Sequence, residues 1–199
     1  QLGVDTELFR PLEHQKSDAF RIMTTASADA PLKGLSVLLH AMTLLLPDYP
    51  ELRLTLVGKP KPGGDTEKLI TALGLQDYIE CCKGITHEEM VEKYAQATVA
   101  VVPSIYEGFG LPAIEAMACG VPLVSTDGGA LAEVVDDAGL VISAGDSHAL
   151  ASAIARLFDD SALRDEYASR GLSRVEQHFC WNRCAERLEA YYRERIAQC

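Results

Sequence analysis

The sequence predicts an α/β fold: a doubly wound, Rossmann-like parallel sheet of about six strands, with helices on both faces and a helical C-terminal segment. Three observations carry this expectation. Short β-branched or apolar runs alternate with stretches of helical period six times along the chain. Glycine- and proline-bearing loops separate them. After Asp146 the alternation stops and only helical spacing remains. Ligands of such sheets bind outside the carboxyl ends of the strands. Topology therefore singles out the loops at 27–34, 58–65, 83–88, 103–111 and 126–130.

Taken in order, residues 1–18 hold Gly3, Pro11 and mixed charges without a period, and read as a linker. Phe20 to Ala26 is a first strand. Leu35, Leu38, Leu39, Met42, Leu45 and Leu46 keep helical spacing up to Pro47. Arg53 to Gly58 is a second strand, followed by the loop KPKPGGD and a short helix from Glu67 to Leu73 that Gly74 ends. Tyr78 to Cys82 is a weak third strand. Thr86 with Glu89 forms a capping box for a helix through Ala95. Thr98 to Val102 is the fourth strand, and a helix is expected to start near Leu111. Pro122 to Thr126 and Leu140 to Ile142 complete the sheet, with a helical turn at Leu131 to Val135 between them. Leu150, Ile154, Leu157 and Phe158 mark one later helix face, Leu163, Tyr167, Leu172 and Val175 the next, and Trp181, Ala185, Leu188 and Tyr192 the last. The boundaries drawn are 1–18 for the linker, 19–178 for the Rossmann-like domain and 179–199 for a C-terminal helix.

Composition narrows the function. A net charge of −11 argues against a general nucleic-acid binder, which needs a basic surface. No apolar run approaches a transmembrane span, and no signal peptide is visible. Gln1 is not a natural initiator, so the chain is expected to continue upstream. The six cysteines form no CxxC pair and no zinc-type set. Cys180 and Cys184 stand one helical turn apart, which admits a metal or redox pair, but thiols in a reducing cytoplasm are the plainer reading.

The stretch from Tyr106 to Glu115, YEGFGLPAIE, carries the chemistry. Gly108 and Gly110 are expected to supply positive φ and to let a ligand approach the backbone. Pro112 suits a first helical turn, whose amides form an anion site. Lys33 opens the helix after strand one, Lys59 and Lys61 follow strand two, and Gly128-Gly129 offers further amides. Together these groups can neutralise a diphosphate. A charge-assisted hydrogen bond contributes roughly 1.5–3 kcal/mol and a helix terminus about 0.3–1 kcal/mol, so lysine outweighs dipole. Glu107 and Glu115 can each accept hydrogen bonds from vicinal hydroxyls, or serve as an acid/base pair in glycoside hydrolysis. The alternative is a pair of charges that complement the helix start, which fits Glu107 better than Glu115, set among Ile114, Ala116 and Met117.

A competing pattern overlaps this stretch. Residues 108–113 satisfy GxGxxG/A, and Asp127 ends the next strand, 19 residues after Gly108, as in a dinucleotide-binding fingerprint of an NAD-dependent dehydrogenase. Against it, residues 103–107 separate strand from glycine, and three βα units come first. There is no GxSxG, Walker A, HExxH or DxD motif, and His87 is the histidine nearest a predicted functional loop.

EGFGLPAIEAMACGVPLVSTDGG resembles the E-x7-E signature of retaining GT-B glycosyltransferases, above all the large family 4. Gly3-Val4-Asp5 with Phe9 and Pro11 resembles the inter-lobe segment, Leu32-Lys33-Gly34 the phosphate-lysine motif, and Phe179 with Trp181 the terminal helix motif. The resemblance implies a C-terminal, donor-binding lobe, inactive alone, with the N-terminal acceptor lobe missing. It implies that Glu115 binds ribose and Glu107 the transferred sugar, that amides of Phe109, Gly110 and Leu111 approach sugar and phosphates, and that Gly108 belongs to the donor-binding loop. Lys33 would stabilise the leaving diphosphate, and Gly84-Ile85 would border the base. The donor would be a UDP- or GDP-sugar, with no cofactor and no metal, and with transfer retaining configuration. The implied setting is cytoplasmic, without nucleic acid, and open to peripheral membrane association through the missing lobe. The same motifs suit a non-catalytic nucleotide-sugar-binding module. One departure stands out: Ala28 occupies the position where the family often has arginine, so either Lys59 or Lys61 substitutes or the donor is held differently.

Overall fold

A computed structural model describes residues 3–12, 19–26 and 29–197. Its strands are β1 (Arg21–Thr25), β2 (Arg53–Val57), β3 (Ile79–Cys82), β4 (Val99–Val102), β5 (Leu123–Thr126) and β6 (Leu140–Ile142). Its α-helices are α1 (Leu35–Leu45), α2 (Asp65–Ala72), α3 (His87–Gln96), α4 (Leu111–Ala118), α5 (Leu131–Val135), α6 (Ser147–Asp159), α7 (Ser161–His178) and α8 (Trp181–Ala197). The six strands form one parallel sheet in the order β3-β2-β1-β4-β5-β6. Chain order reverses between β1 and β4, and a crevice opens at such a switch point.

Burial follows from this order. The inner strands β4 and β5 are buried along their whole length, as continuous apolar runs in a parallel sheet should be. The edge strands β3 and β6 are only partly buried. One face packs Ile22, Leu54, Leu56, Val99 and Val124 against α1 and α6. The other packs Met23, Ala100, Val102 and Leu123 against α3, α4 and α5. Gly171 of α7 lets that helix lie on α4, because a Cβ there would be 3.2 Å from the Met117 side chain. Short apolar strands and period-3.6 helices thus bury their stripes in two layers on the sheet, with α7 packed on α4.

The observed elements refine the expected ones by a residue or two. β1 starts at Arg21 because Phe20 has φ 57° and cannot extend the strand. The Thr86/Glu89 capping box forms, with Glu89 N donating to Thr86 Oγ1 at 3.2 Å and Thr86 N to Glu89 Oε2 at 2.7 Å. Short 3₁₀ turns at Pro31–Lys33 and Gln76–Tyr78 have no counterpart in the sequence reading. Three residues cannot display a period. Within the predicted linker, Val4 bridges Cys180, its amide donating to Phe179 O at 2.8 Å, and Phe9 is buried. Residues 13–18 of that linker lie outside the described residues. No helix among the described residues is long and apolar enough to cross a membrane.

Candidate functional site

The loops after β1, β2 and β3 converge on a cleft of ≈ 700 Å³ at the carboxyl edge of the sheet. Lys33, Lys59, Lys61, Gly84 and Ile85, each singled out in the sequence, line it together with Pro112 of α4. Lys83 also lines it and was not singled out. Only its membership of the 83–88 loop pointed there. Four lysines therefore surround one cavity in a chain of net charge −11. Opposite-charge ligands are favoured locally whatever the net charge.

Close backbone approach builds the walls. Gly34 ends the Pro31–Lys33 turn with φ 64°, and a Cβ there would lie 1.8 Å from Pro103 O. Glycine at this point lets the loops after β1 and β4 touch. Ile105 N then donates to Leu32 O at 2.8 Å. As a result Lys33 Nζ reaches Glu107 Oε2 at 2.7 Å, across the gap between β1 and β4. Ser104 Oγ donates to the same oxygen at 3.3 Å.

The Gly128-Gly129 pair also shapes Glu107. Gly129 bridges Glu107, and Ala130 N donates to Glu107 O at 2.9 Å. A Cβ at Gly129 would stand 2.3 Å from that oxygen, and one at Gly128 2.6 Å from Ser104 O. Both glycines are needed where the 103–107 backbone passes.

The stretch from Gly108 to Glu115 differs from expectation in two respects. Only Gly110 has positive φ, 97°, as the N-cap of α4. Gly108 does not, and a Cβ there would meet nothing within 4 Å. Its missing side chain leaves open space beside the loop. The first-turn amides are also fewer than expected: Pro112 has none, and Ala113 N and Ile114 N donate to Gly110 O. The amides of Phe109, Gly110 and Leu111 donate to no acceptor among the described residues. The Phe109 ring packs edge-on against Phe179, 6.3 Å away.

Glu115 lies mostly buried on α4. The Tyr94 hydroxyl, itself fully buried, is 3.4 Å from Glu115 Oε2 and 3.3 Å from Pro112 O. Burial pushes the Glu115 carboxyl above its ordinary range, while the Tyr94 hydrogen bond and the charge of His87 pull it down. Burial likewise raises the Tyr94 phenol well above its usual value, helped by the neighbouring Glu115 charge. Thr25 Oγ1 is buried without a hydrogen bond of ordinary geometry, yet its closeness lowers the Tyr94 phenol somewhat. His87 itself faces the Phe9 ring at 5.8 Å. Tyr94 forms part of this constellation without a sequence signal that separates it from an ordinary core residue, and Lys83 and Ser104 had only their places in the 83–88 and 103–111 loops to mark them.

Among the described residues no group of three or more His, Cys, Asp and Glu could hold a metal ion. Cys81, Cys82, Cys119, Cys180 and Cys184 are all free thiols. Ala28 lies outside the described residues.

The glycosyl transferases group 1 family matches residues 9–174. The chain belongs to that family. It is 42% identical over 200 residues to the MMP alpha-(1->4)-mannosyltransferase of Mycolicibacterium hassiacum, covering 99% of this chain and 48% of that protein. Sucrose-phosphate synthase from Thermosynechococcus elongatus superposes with a TM-score of 0.85 at 32% identity, over 100% of this chain and 52% of that one. Anabaena Alr3699/HepE, solved in complex with UDP-glucose, has the same fold, with a TM-score of 0.80 at 23% identity over 94% of this chain and 56% of that one. The chain spans about half the length of the curated relatives it matches. Its architecture is one α/β lobe of the GT-B glycosyltransferase fold. Family membership displaces the dehydrogenase reading, and topology shows why the fingerprint misled. In the 3-2-1-4-5-6 sheet a dinucleotide loop follows β1, whereas these glycines follow β4.

Proposed function

We propose that the chain is the donor-binding, C-terminal lobe of a retaining glycosyltransferase of family 4 type. It transfers a hexose from a UDP- or GDP-sugar, and it is inactive without an N-terminal acceptor lobe. The observation that carries this reading is the lysine-lined cleft with the Lys33–Glu107 pair at the switch point. A nucleoside diphosphate needs positive charge at its phosphates, an apolar wall for its base and acceptors for its sugars. The lysines, the Gly84-Ile85 wall and the two glutamates are of those kinds. The UDP-glucose complex of the similarly folded HepE supports the same assignment.

In this reading Glu115 anchors the ribose hydroxyls and Glu107 the transferred sugar. The Phe109, Gly110 and Leu111 amides, unspent within the fold, face the sugar and phosphates, with Gly108 leaving room. Lys33, aided by Lys59 and Lys61, stabilises the leaving diphosphate electrostatically and without a metal. Gly128-Gly129 supports Glu107 and offers amides beside it. The exposed apolar residues of α8, Trp181, Leu188, Tyr191 and Ile196, pack on the N-terminal lobe. Residues 1–18 join the lobes, and the five cysteines among the described residues, all free thiols, suit a reducing cytoplasm.

Thermal-shift measurements against UDP-, GDP- and ADP-sugars test the donor site, since a bound ligand raises stability by mass action. A shift with UDP- or GDP-sugars is expected. No shift with any of them at millimolar concentration sinks the donor-site reading. Joining the upstream lobe and assaying transfer separates the enzyme from a binding module.

A further inference from the structure

The loop that carries Lys59 and Lys61 is held from the opposite side of the cleft mouth by one carboxylate. Asp29 stands between β1 and Lys33 and lines the same cavity. Its Oδ2 accepts the Lys61 amide at 2.7 Å, and its Oδ1 faces the Thr66 amide, in the first turn of α2, at 3.5 Å. Pro60 and Pro62 flank Lys61, so the Lys61 amide is the sole main-chain donor of residues 60–62. The loop closes on itself through Gly64 N to Lys61 O at 2.8 Å and Gly63 N to Glu67 Oε2 at 2.6 Å. Gly64 is tight against this clasp: a Cβ there would lie 2.9 Å from Lys61 O and 3.0 Å from Asp29 Oδ1.

An acid at the mouth of an anion site is electrostatically costly, so its presence calls for a compensating role. Asp29 hydrogen-bonds the main chain of Lys61, and the Lys61 ammonium, beyond ion-pair distance, adds only a weaker electrostatic attraction. Among the described residues no carboxylate lies within 4.0 Å of the Lys59 or Lys61 ammonium. Resting on the donor-site reading above, we propose that Asp29 is a positioning residue: through the Lys61 amide it fixes the 59–64 loop so that both ammonium groups face the donor diphosphate. The Lys61 amide also holds the Asp29 carboxyl below its ordinary range, so the clasp stays ionised further into acid than a free aspartate would.

Calorimetric titration of the 199-residue chain with UDP and GDP tests this. Asp29→Ala is expected to weaken the tighter-bound diphosphate on the order of tenfold, the scale of one lost charge-assisted hydrogen bond. Asp29→Asn keeps an acceptor for the Lys61 amide without the charge, and is expected to hold wild-type affinity or better. Gly64→Ala crowds the clasp but leaves the charge, and should weaken binding as Asp29→Ala does. In a Lys59→Ala/Lys61→Ala background, Asp29→Ala should add no further loss. The proposal fails if Asp29→Ala tightens binding, which would mark simple charge repulsion. It also fails if Asp29→Ala costs the same factor once both lysines are gone. Wild-type chain that binds neither diphosphate overturns the donor-site reading itself, and the clasp with it.

Discussion

Lys33 and Glu107, 74 residues apart in sequence, meet at 2.7 Å across the gap between β1 and β4. The contact sits where the chain reverses its strand order. Lys33 comes from the loop after one strand and Glu107 from the loop after its non-sequential neighbour. Neither residue sits there by local structure alone. Gly34 permits the loops to touch, and Gly129 permits the 107 backbone to pass. The pair couples the residue proposed for the diphosphate to the residue proposed for the sugar.

That coupling gives a first prediction. Lys33→Ala should lower UDP or GDP affinity by about ten- to a hundredfold, the scale of a lost charge-assisted bond. Glu107→Gln should leave that affinity unchanged or raise it a few-fold, because bare diphosphate then meets an unpaired lysine. In the two-lobed enzyme the same Glu107→Gln should cut transfer. Titration calorimetry with an activity assay checks both. A fall in diphosphate affinity with Glu107→Gln contradicts the arrangement.

Glu115 predicts a conflict between stability and binding. Burial raises its folded-state pKa above the unfolded value, so the native state holds the proton more tightly. Stability from this group is therefore greatest below the unfolded carboxyl pKa and declines as pH rises through the raised folded value. Glu115→Gln removes the buried charge. It should raise the melting temperature at neutral pH by roughly 2–4 °C if the gain is near 1 kcal/mol, and abolish nucleotide binding. A melting scan from pH 4 to 8 should show the wild-type deficit growing with pH. Unchanged nucleotide affinity removes Glu115 from the site.

The sheet was legible in the sequence because most strands are short apolar runs set between turn-formers and most helices keep their own stripe, with β3, Ile79-Glu80-Cys81-Cys82, the weakest signal. The loops named from topology alone do hold the cleft residues Lys33, Lys59, Lys61, Gly84 and Ile85. What stayed hidden depends on pairings between distant loops. Tyr94 reads as one more residue on the apolar face of α3, and only the fold sets its hydroxyl 3.4 Å from Glu115. Asp29 reads as a loop acid, and only the β1–β2 register brings it to the Lys61 amide. Gly108 misled in the other direction. A glycine in a glycine-rich loop suggests positive φ, but here Gly110 alone has it.

The glycines divide into structural and ligand-facing kinds, and substitution should separate them. Gly34→Ala places a Cβ on Pro103 O at positive φ, and should destabilise the chain by about 2 kcal/mol or more, taking binding with it. Gly108→Ala meets empty space and should change stability by under about 0.5 kcal/mol. It should still weaken sugar-nucleotide binding, because the new methyl occupies ligand space. Denaturant midpoints and donor titration read the two effects separately. If Gly108→Ala binds donor like wild type, the loop does not approach the ligand.

Lys59 and Lys61 decide whether the Ala28 departure matters. The Lys33 ammonium is engaged by Glu107, whereas among the described residues no carboxylate lies within 4.0 Å of those of Lys59 and Lys61. Both are exposed at the cleft mouth, so their attraction for a diphosphate is screened by salt. Each lysine-to-alanine change should weaken UDP or GDP binding a few-fold at low ionic strength, and the double change by about tenfold. The differences should shrink towards 1 M salt, where the Debye length is about 3 Å. Lys33→Ala should keep more of its effect at high salt, because Lys33 is less exposed. Introducing Ala28→Arg into the double variant should restore affinity if a missing cation is what the lysines replace. Wild-type affinity in the Lys59→Ala/Lys61→Ala chain at low salt would falsify the substitution.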